Sequence, residues 1–217
     1  MKNKLLVIQI CALIAISGSL GGLLFRTSIY EGIEFGTVRV LCLSCIKLQP
    51  ITSKDFTFET ANNKPHPNFV INALKTKGPI MIQYGEPGCT NCDLMINNVM
   101  IPYFNLSFSE KHDSSFETLV NVGNVSFYYI YIYVDPIKAK TEKTESIEIY
   151  DKDYVRGYPM FTIITLEYHH GGEVRPYYTS LYGLIEENID WQKRFDIFIE
   201  LLEDGQELYD RNIAAYK

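Results

Sequence analysis

Four of the five cysteines form two C-x-x-C pairs, a spacing that suits dithiol–disulfide exchange. The pair Cys89-Thr-Asn-Cys92 follows a short apolar run, Ile80 to Tyr84, and opens a segment with helical periodicity. The first turn of a helix has unpaired N–H groups and the positive end of the helix dipole, both of which stabilise a thiolate. The sequence therefore predicts that Cys89 attacks first and that Cys92, one turn further in, resolves the mixed disulfide.

The other pair, Cys42 and Cys45, lies in an apolar segment from Val38 to Leu48. Three hypotheses fit this pair. It relays electrons to or from Cys89 and Cys92, it is a structural disulfide, or all four cysteines bind Zn²⁺. The long gap between the pairs and an oxidising compartment disfavour zinc. We therefore assign no metal and no cofactor, and relay and structural disulfide stay equally open.

An apolar run of about 20 residues, Leu5 to Phe25, has the length of a transmembrane helix. Lys2 and Lys4 precede it, which predicts a cytoplasmic N-terminus and a domain outside the cytoplasm. A signal peptide cleaved near Ser17–Ser19 is the alternative, and it sends the domain to the same side. We favour a signal anchor over residues 1–26, because the apolar run continues past the small residues.

Composition narrows the classes of function. Hydrophobic residues make up 47% of the 217-residue chain and charged residues 21%, so a globular domain of ordinary size is expected. The net charge is -6 and no dense Lys/Arg cluster is present, which argues against nucleic acid as a partner.

The elements that must position the cysteines follow one another from residue 69 onward. Strands that alternate with helices predict an α/β sandwich whose sheet is partly parallel, and a final hairpin adds an antiparallel edge. Residues 27–68 are interpreted as a connector, 69–217 as the domain, and 103–124 receive no assignment. The predicted helices and strands are Phe69–Lys77 (helix), Ile80–Tyr84 (strand), Cys89–Met100 (helix closed or kinked at Pro102), Ser126–Val134 (strand), a helix within Lys138–Tyr154, Met160–Leu166 and Val174–Leu181 (strands) and Ile189–Tyr209 (helix).

Three motifs in order resemble the thioredoxin family. The stretch from Pro79 to Cys92 is similar to the family's strand and redox helix. Val155 to Ile163 resembles its loop with a cis proline, and Gly171-Gly-Glu-Val174 resembles its last hairpin. The resemblance covers about residues 69–205. It implies a thioredoxin-like sandwich, with a mixed central sheet flanked by helices, behind the predicted transmembrane helix.

The resemblance also implies roles for particular residues. Pro159 is expected in the cis form beside the cysteine pair, and Tyr158 is expected to contact substrate. Gln83 stands where many thioredoxins have a buried aspartate, and Glu86 is the hypothetical proton carrier in its place. His66 and His112 are interpreted as isolated surface residues.

Together these features predict an enzyme, a membrane-tethered, extracytoplasmic thiol–disulfide oxidoreductase. Its expected partners are thiols or disulfides of other proteins, together with an electron donor in the membrane. The alternative is a non-catalytic thioredoxin-like binding or assembly module. The sequence does not indicate the direction of electron flow.

Overall fold

The computed structural model describes residues 55–185 and 188–216. The predicted signal anchor and the pair Cys42 and Cys45 lie outside the described residues. Within those two ranges, no helix combines the length and the apolar character that crossing a membrane requires.

Five strands form one mixed sheet with helices on both faces, which confirms the predicted α/β class. The strands are β1 (Ile80–Gly85), β2 (Phe116–Val122), β3 (Val125–Tyr133), β4 (Met160–His169) and β5 (Glu173–Tyr182). The helices are α1 (Asn68–Thr76), α2 (Thr90–Met95), α3 (Ile101–Phe104), α4 (Glu142–Glu145), α5 (Ile147–Tyr150) and α6 (Trp191–Asn212). A π-helical turn, Ile96–Met100, joins α2 to α3, and 3-10 turns occur at Ala61–Asn63 and Ile213–Ala215.

Strand β1 lies at the centre of the sheet, whose order is β2-β3-β1-β4-β5. It pairs in parallel with β3 and antiparallel with β4, and β4 continues through a hairpin into β5. All six residues of β1 are buried. Helices cover both faces, which explains why apolar residues stand at successive positions, Ile80, Met81 and Ile82, instead of alternating with polar ones.

The sequence prediction missed β2, which pairs antiparallel with β3 at one edge of the sheet. Phe116, Thr118 and Val120 alternate with more exposed residues, and Gly123 with φ 59 forms the turn into β3. A Gly-Asn dipeptide between two β-type runs is a hairpin signal that we could have used. The polar residues around β2 concealed it.

The helix that begins after Cys89 does not end at Pro102. The Ile101 N–H donates to Ile96 O, so the backbone widens into a π turn just before the proline. Pro102 has no N–H to donate, and the helix resumes as α3 beyond the π turn. It ends at Asn105, whose φ of 53 is the left-handed conformation common at helix C-termini.

Two apolar cores lie on the two faces of the sheet. On one face, α2, the π turn, α3 and α6 cover the sheet, and fully buried Phe198 packs on Phe161 with ring centroids 4.8 Å apart. On the other face, α1 and α5 pack on β1, β4 and β5. Tyr209 near the end of α6 donates to Leu74 O and ties α6 to α1. The central strand is therefore held rigidly from both sides.

The last part of the predicted connector packs against the sheet. Thr57 exchanges both backbone hydrogen bonds with Tyr178 of β5 and forms a single β-bridge there. His66 is not an isolated surface residue. It is half-buried beside the rings of Tyr150 and Tyr178, and its Nδ1 lies 3.2 Å from Tyr150 Oη.

This burial predicts an acid-sensitive contribution to stability. Burial lowers the pKa of His66 to about 4, whereas an unfolded histidine titrates near about 6.5. The unfolded chain therefore binds the extra proton first, and stability falls as the pH drops from about 6.5 toward about 4. The free energy of unfolding in urea should be measured at pH 7 and at pH 4.5. Between these two values it should fall by about 2 kcal/mol less in His66→Gln than in the unmodified chain. His170→Gln, in the exposed turn, is the control, and equal losses in all three proteins would contradict this role.

Candidate active site

The loop that follows the central strand places Cys89 at the start of α2. After β1 the chain turns through Gly88, which has a φ of 71, and the Cys89 N–H donates to Glu86 O at 3.4 Å. Cys89 is the N-cap of α2 with extended backbone angles, and the Asp93 N–H donates to Cys89 O at 3.2 Å. The sulfur of Cys89 thus lies at the positive end of a helical segment that continues to Phe104.

Cys89 and Cys92 are joined by a disulfide, with Sγ atoms 2.08 Å and Cα atoms 5.2 Å apart. The Cys92 N–H donates to Cys89 Sγ at 3.1 Å, so the sulfur takes the place of the usual capping oxygen. Cys89 is half-buried, whereas only 3% of Cys92 is exposed. A second molecule therefore reaches Cys89 more easily than Cys92.

Pro159 lies buried directly before β4. The Tyr158–Pro159 peptide bond is cis, as the resemblance implied. Tyr84 pairs with Met160, so one further step of this antiparallel register sets Pro159 opposite Gly85. The Gly183 N–H donates to Pro159 O at 2.8 Å and fixes it from the other side. Pro159 and the loop that carries Cys89 therefore lie at the same end of the neighbouring strands β1 and β4.

Buried Asp151 organises the loop that leads to Pro159. One carboxylate oxygen accepts from the Val155 N–H and from Tyr182 Oη, both at 2.9 Å. The other accepts from the Arg156 N–H at 3.0 Å. Sequence reasoning missed Asp151, because nothing in its spacing distinguishes it from the neighbouring surface acids.

Tyr158 and Glu86 lie near one another at this end of the sheet. Tyr158 is half-buried and Glu86 is exposed. Burial raises the pKa of the Tyr158 hydroxyl, and the charge of Glu86 raises it further. Two of the residues selected from the sequence are therefore electrostatic neighbours, and the tyrosine stays neutral over the physiological range.

Gln83 is fully buried on β1, on the face of the sheet that α2 covers. It is level with Tyr131 of β3 and Phe161 of β4, whose rings belong to the core under α2. Its Oε1 accepts from Tyr129 Oη at 2.6 Å, and its Nε2 has no hydrogen-bond partner among the described residues. A neutral amide cannot take up a proton as a carboxylate would.

The interpretation of His112 as an isolated surface residue is wrong. Its Nδ1 lies 2.8 Å from Asp93 Oδ1, and only 14% of its side chain is exposed. Its carbonyl oxygen accepts from Tyr131 Oη at 2.9 Å. The contact joins a loop to the first turn of α2 across 19 positions of the chain, and no local pattern signals such a pairing.

Cys42 and Cys45 lie outside the described residues, so the relay, the structural disulfide and the zinc site stay predictions. Between residues 55 and 216, leaving aside 186–187, no group of three or more His, Cys, Asp and Glu side chains could hold a metal ion.

Comparison of the chain with protein-family models, with curated proteins and with solved structures finds no match. The candidate site therefore rests on the geometry of these residues.

Proposed function

We propose that the protein is a thioredoxin-like thiol–disulfide oxidoreductase that exchanges disulfides with other proteins. The observation that carries the proposal is the position of the cysteine pair. The pair follows the central strand. Cys89 is partly exposed at the N-terminus of α2, and Cys92 is buried one helical turn later. The cis form of the Tyr158–Pro159 bond, which the resemblance to thioredoxins implies, supports the proposal as well.

In the proposed reaction the reduced protein begins with a thiolate at Cys89. This thiolate attacks one sulfur of a substrate disulfide, forms a mixed disulfide and expels the other substrate sulfur as a thiolate, which takes up a proton. Cys92 then loses its proton and attacks Cys89 Sγ, which re-forms the disulfide and releases the second substrate thiol. Two electrons and two protons pass to the substrate, and a dithiol protein that runs the steps in reverse restores the reduced pair.

The surroundings of the pair favour this order of events. The Cys92 N–H, 3.1 Å from Cys89 Sγ in the disulfide, is placed to stabilise negative charge on that sulfur. Burial of Cys92 disfavours its thiolate and leaves it as the resolving thiol. Exposed Glu86, whose carbonyl holds the Cys89 N–H, is the proposed carrier of the proton.

The loop before Pro159 is the proposed contact for the substrate chain. Tyr158 is half-buried there, and Tyr154 and Val155 expose 54% and 52% of their surface. Exposed apolar side chains in the loop that leads to Pro159 suit an extended segment of another protein. A membrane anchor would confine this exchange to proteins at the outer surface, and an electron donor in the membrane would then be within reach.

The alkylation rates of the individual cysteines test the proposal. The full chain is reduced, freed of reductant and treated with iodoacetamide between pH 5 and 9, and peptides are analysed by mass spectrometry. We expect Cys89 to react at pH 6.5 at least about tenfold faster than Cys92, because only Cys89 combines exposure with a helix N-terminus. In guanidinium chloride the two rates should converge. Equal rates in the folded protein, or two inert thiols, would favour the binding module.

A further inference from the structure

A carboxylate lies in the first turn of α2, whose N-cap is the attacking cysteine. Asp93 follows Cys89 by one helical turn, and its N–H is bonded to Cys89 O. This backbone hydrogen bond, 3.2 Å long, keeps the two residues within one turn of each other. A negative charge on Asp93 therefore opposes a second negative charge on Cys89 Sγ.

His112 is placed to cancel this charge. Its Nδ1 contacts Asp93 Oδ1 at 2.8 Å, and Tyr131 Oη holds its carbonyl from the sheet side at 2.9 Å. The ring of Phe108 packs edge-on at 5.7 Å. The imidazole is mostly shielded, whereas 59% of the Asp93 side chain is exposed, so the electrostatic effect is moderate rather than large.

We propose that the Asp93–His112 pair tunes the reduction potential of the Cys89/Cys92 couple. This inference rests on the proposed function and names what regulates it. Asp93 alone destabilises the Cys89 thiolate and makes the reduced pair a stronger reductant. A protonated His112 cancels that charge and shifts the couple toward oxidation of its partners. Asp93 acts through its field, and His112 is a positioning residue that acts through Asp93.

Histidine is the side chain whose charge changes between pH 5 and 8, so the tuning depends on pH. The groups near His112 are Asp93 from the redox helix, Tyr131 from β3, and Asp113, Lys111 and Glu110 from its own loop. The Asp113 carboxylate accepts from Ser109 Oγ, and the Asp113 N–H donates to the same hydroxyl, so Asp113 is engaged with Ser109. The Asp93 contact is thus the ion pair that protonation completes.

Three variants of the full chain test the proposal, Asp93→Asn, His112→Asn and the double variant. Asparagine suits position 112 because the backbone there has a φ of 50, a conformation that asparagine tolerates. The Cys89/Cys92 couple is equilibrated with glutathione at pH 6 and 8.5, and Cys89 alkylation is measured in parallel.

At pH 6, Asp93→Asn should shift the equilibrium with glutathione about three- to tenfold toward the reduced Cys89/Cys92 pair. This corresponds to a reduction potential about 15–30 mV higher. His112→Asn should shift it by a similar factor the other way. The double variant should return to within about twofold of the unmodified chain, because the two removed charges cancel. At pH 8.5 the effect of His112→Asn should be much smaller than at pH 6, because histidine side chains in general lose their charge between pH 5 and 8.

The control is Asp196→Asn on α6, which removes an equal charge from an exposed position and should leave the potential unchanged. If the unmodified couple does not equilibrate with glutathione, the proposed function fails and this inference fails with it. If it does equilibrate, but the single variants keep the original potential or shift it in the same direction, only the tuning is wrong. Altered melting temperatures with unaltered potentials would likewise reduce the pair to a structural tie.

Discussion

Cys89→Ser will abolish the reduction of insulin disulfides by the full-length chain, with dithiothreitol as the electron donor. A serine hydroxyl stays protonated at neutral pH, so the helix N-terminus has no thiolate to stabilise. Loss of an essential nucleophile lowers the rate by about 10³-fold or more. The rate of turbidity caused by the insulin B chain measures this loss.

Cys92→Ser should have a different signature. Cys89 still attacks, but no neighbouring thiol resolves the intermediate, so a mixed disulfide with the substrate accumulates. Non-reducing electrophoresis and mass spectrometry of the Cys89 peptide would show it. Cys89→Ser should show none, because buried Cys92 is shielded from a second protein.

The double variant Cys42→Ser/Cys45→Ser is the matched control. It leaves the proposed couple intact, and dithiothreitol replaces any electron relay through the first pair, so insulin reduction should persist. Retained activity in Cys89→Ser together with lost activity in this control would assign the exchange to the first pair instead. Retained activity in all variants would exclude cysteine-based exchange by this chain.

The second large effect is expected from Asp151→Ala. The buried carboxylate accepts from the Val155 and Arg156 N–H groups and from Tyr182 Oη. Its removal leaves three donors without their partner, and each unsatisfied donor costs about 1 kcal/mol or more. Because water reaches the exposed residues 155 and 156, we expect a total loss of about 2–3 kcal/mol in the free energy of unfolding, measured in urea.

The same variant should separate substrate binding from redox chemistry. Asp151 fixes the loop before Pro159, but it holds neither α2 nor β1. We therefore expect KM for a protein disulfide to rise several-fold while the Cys89/Cys92 potential is unchanged. Tyr182→Phe removes only one of the three bonds and should cost about 1 kcal/mol. The control is Asp153→Ala at an exposed position, which should change the free energy of unfolding by less than about 0.5 kcal/mol. If Asp151→Ala changes it as little as this control does, the contacts of Asp151 contribute nothing to stability.

Local signals in the sequence predicted most elements of this fold. The aromatic and β-branched run at residues 126–134 is β3, and the amphipathic pattern from residue 189 is α6. These elements are long and periodic, so their own residues specify them. The edge strand β2 was missed, because an edge strand is short, half-exposed and stabilised mainly by its partner.

The sequence by itself determined that two cysteines lie one helical turn apart after a buried strand. The tertiary structure decided what surrounds them. Asp93 and His112 are 19 positions apart, and Asp151 binds Tyr182 across 31. Such contacts exist only after the sheet has brought distant loops together, because the free energy that forms them comes from burying the core rather than from any local preference.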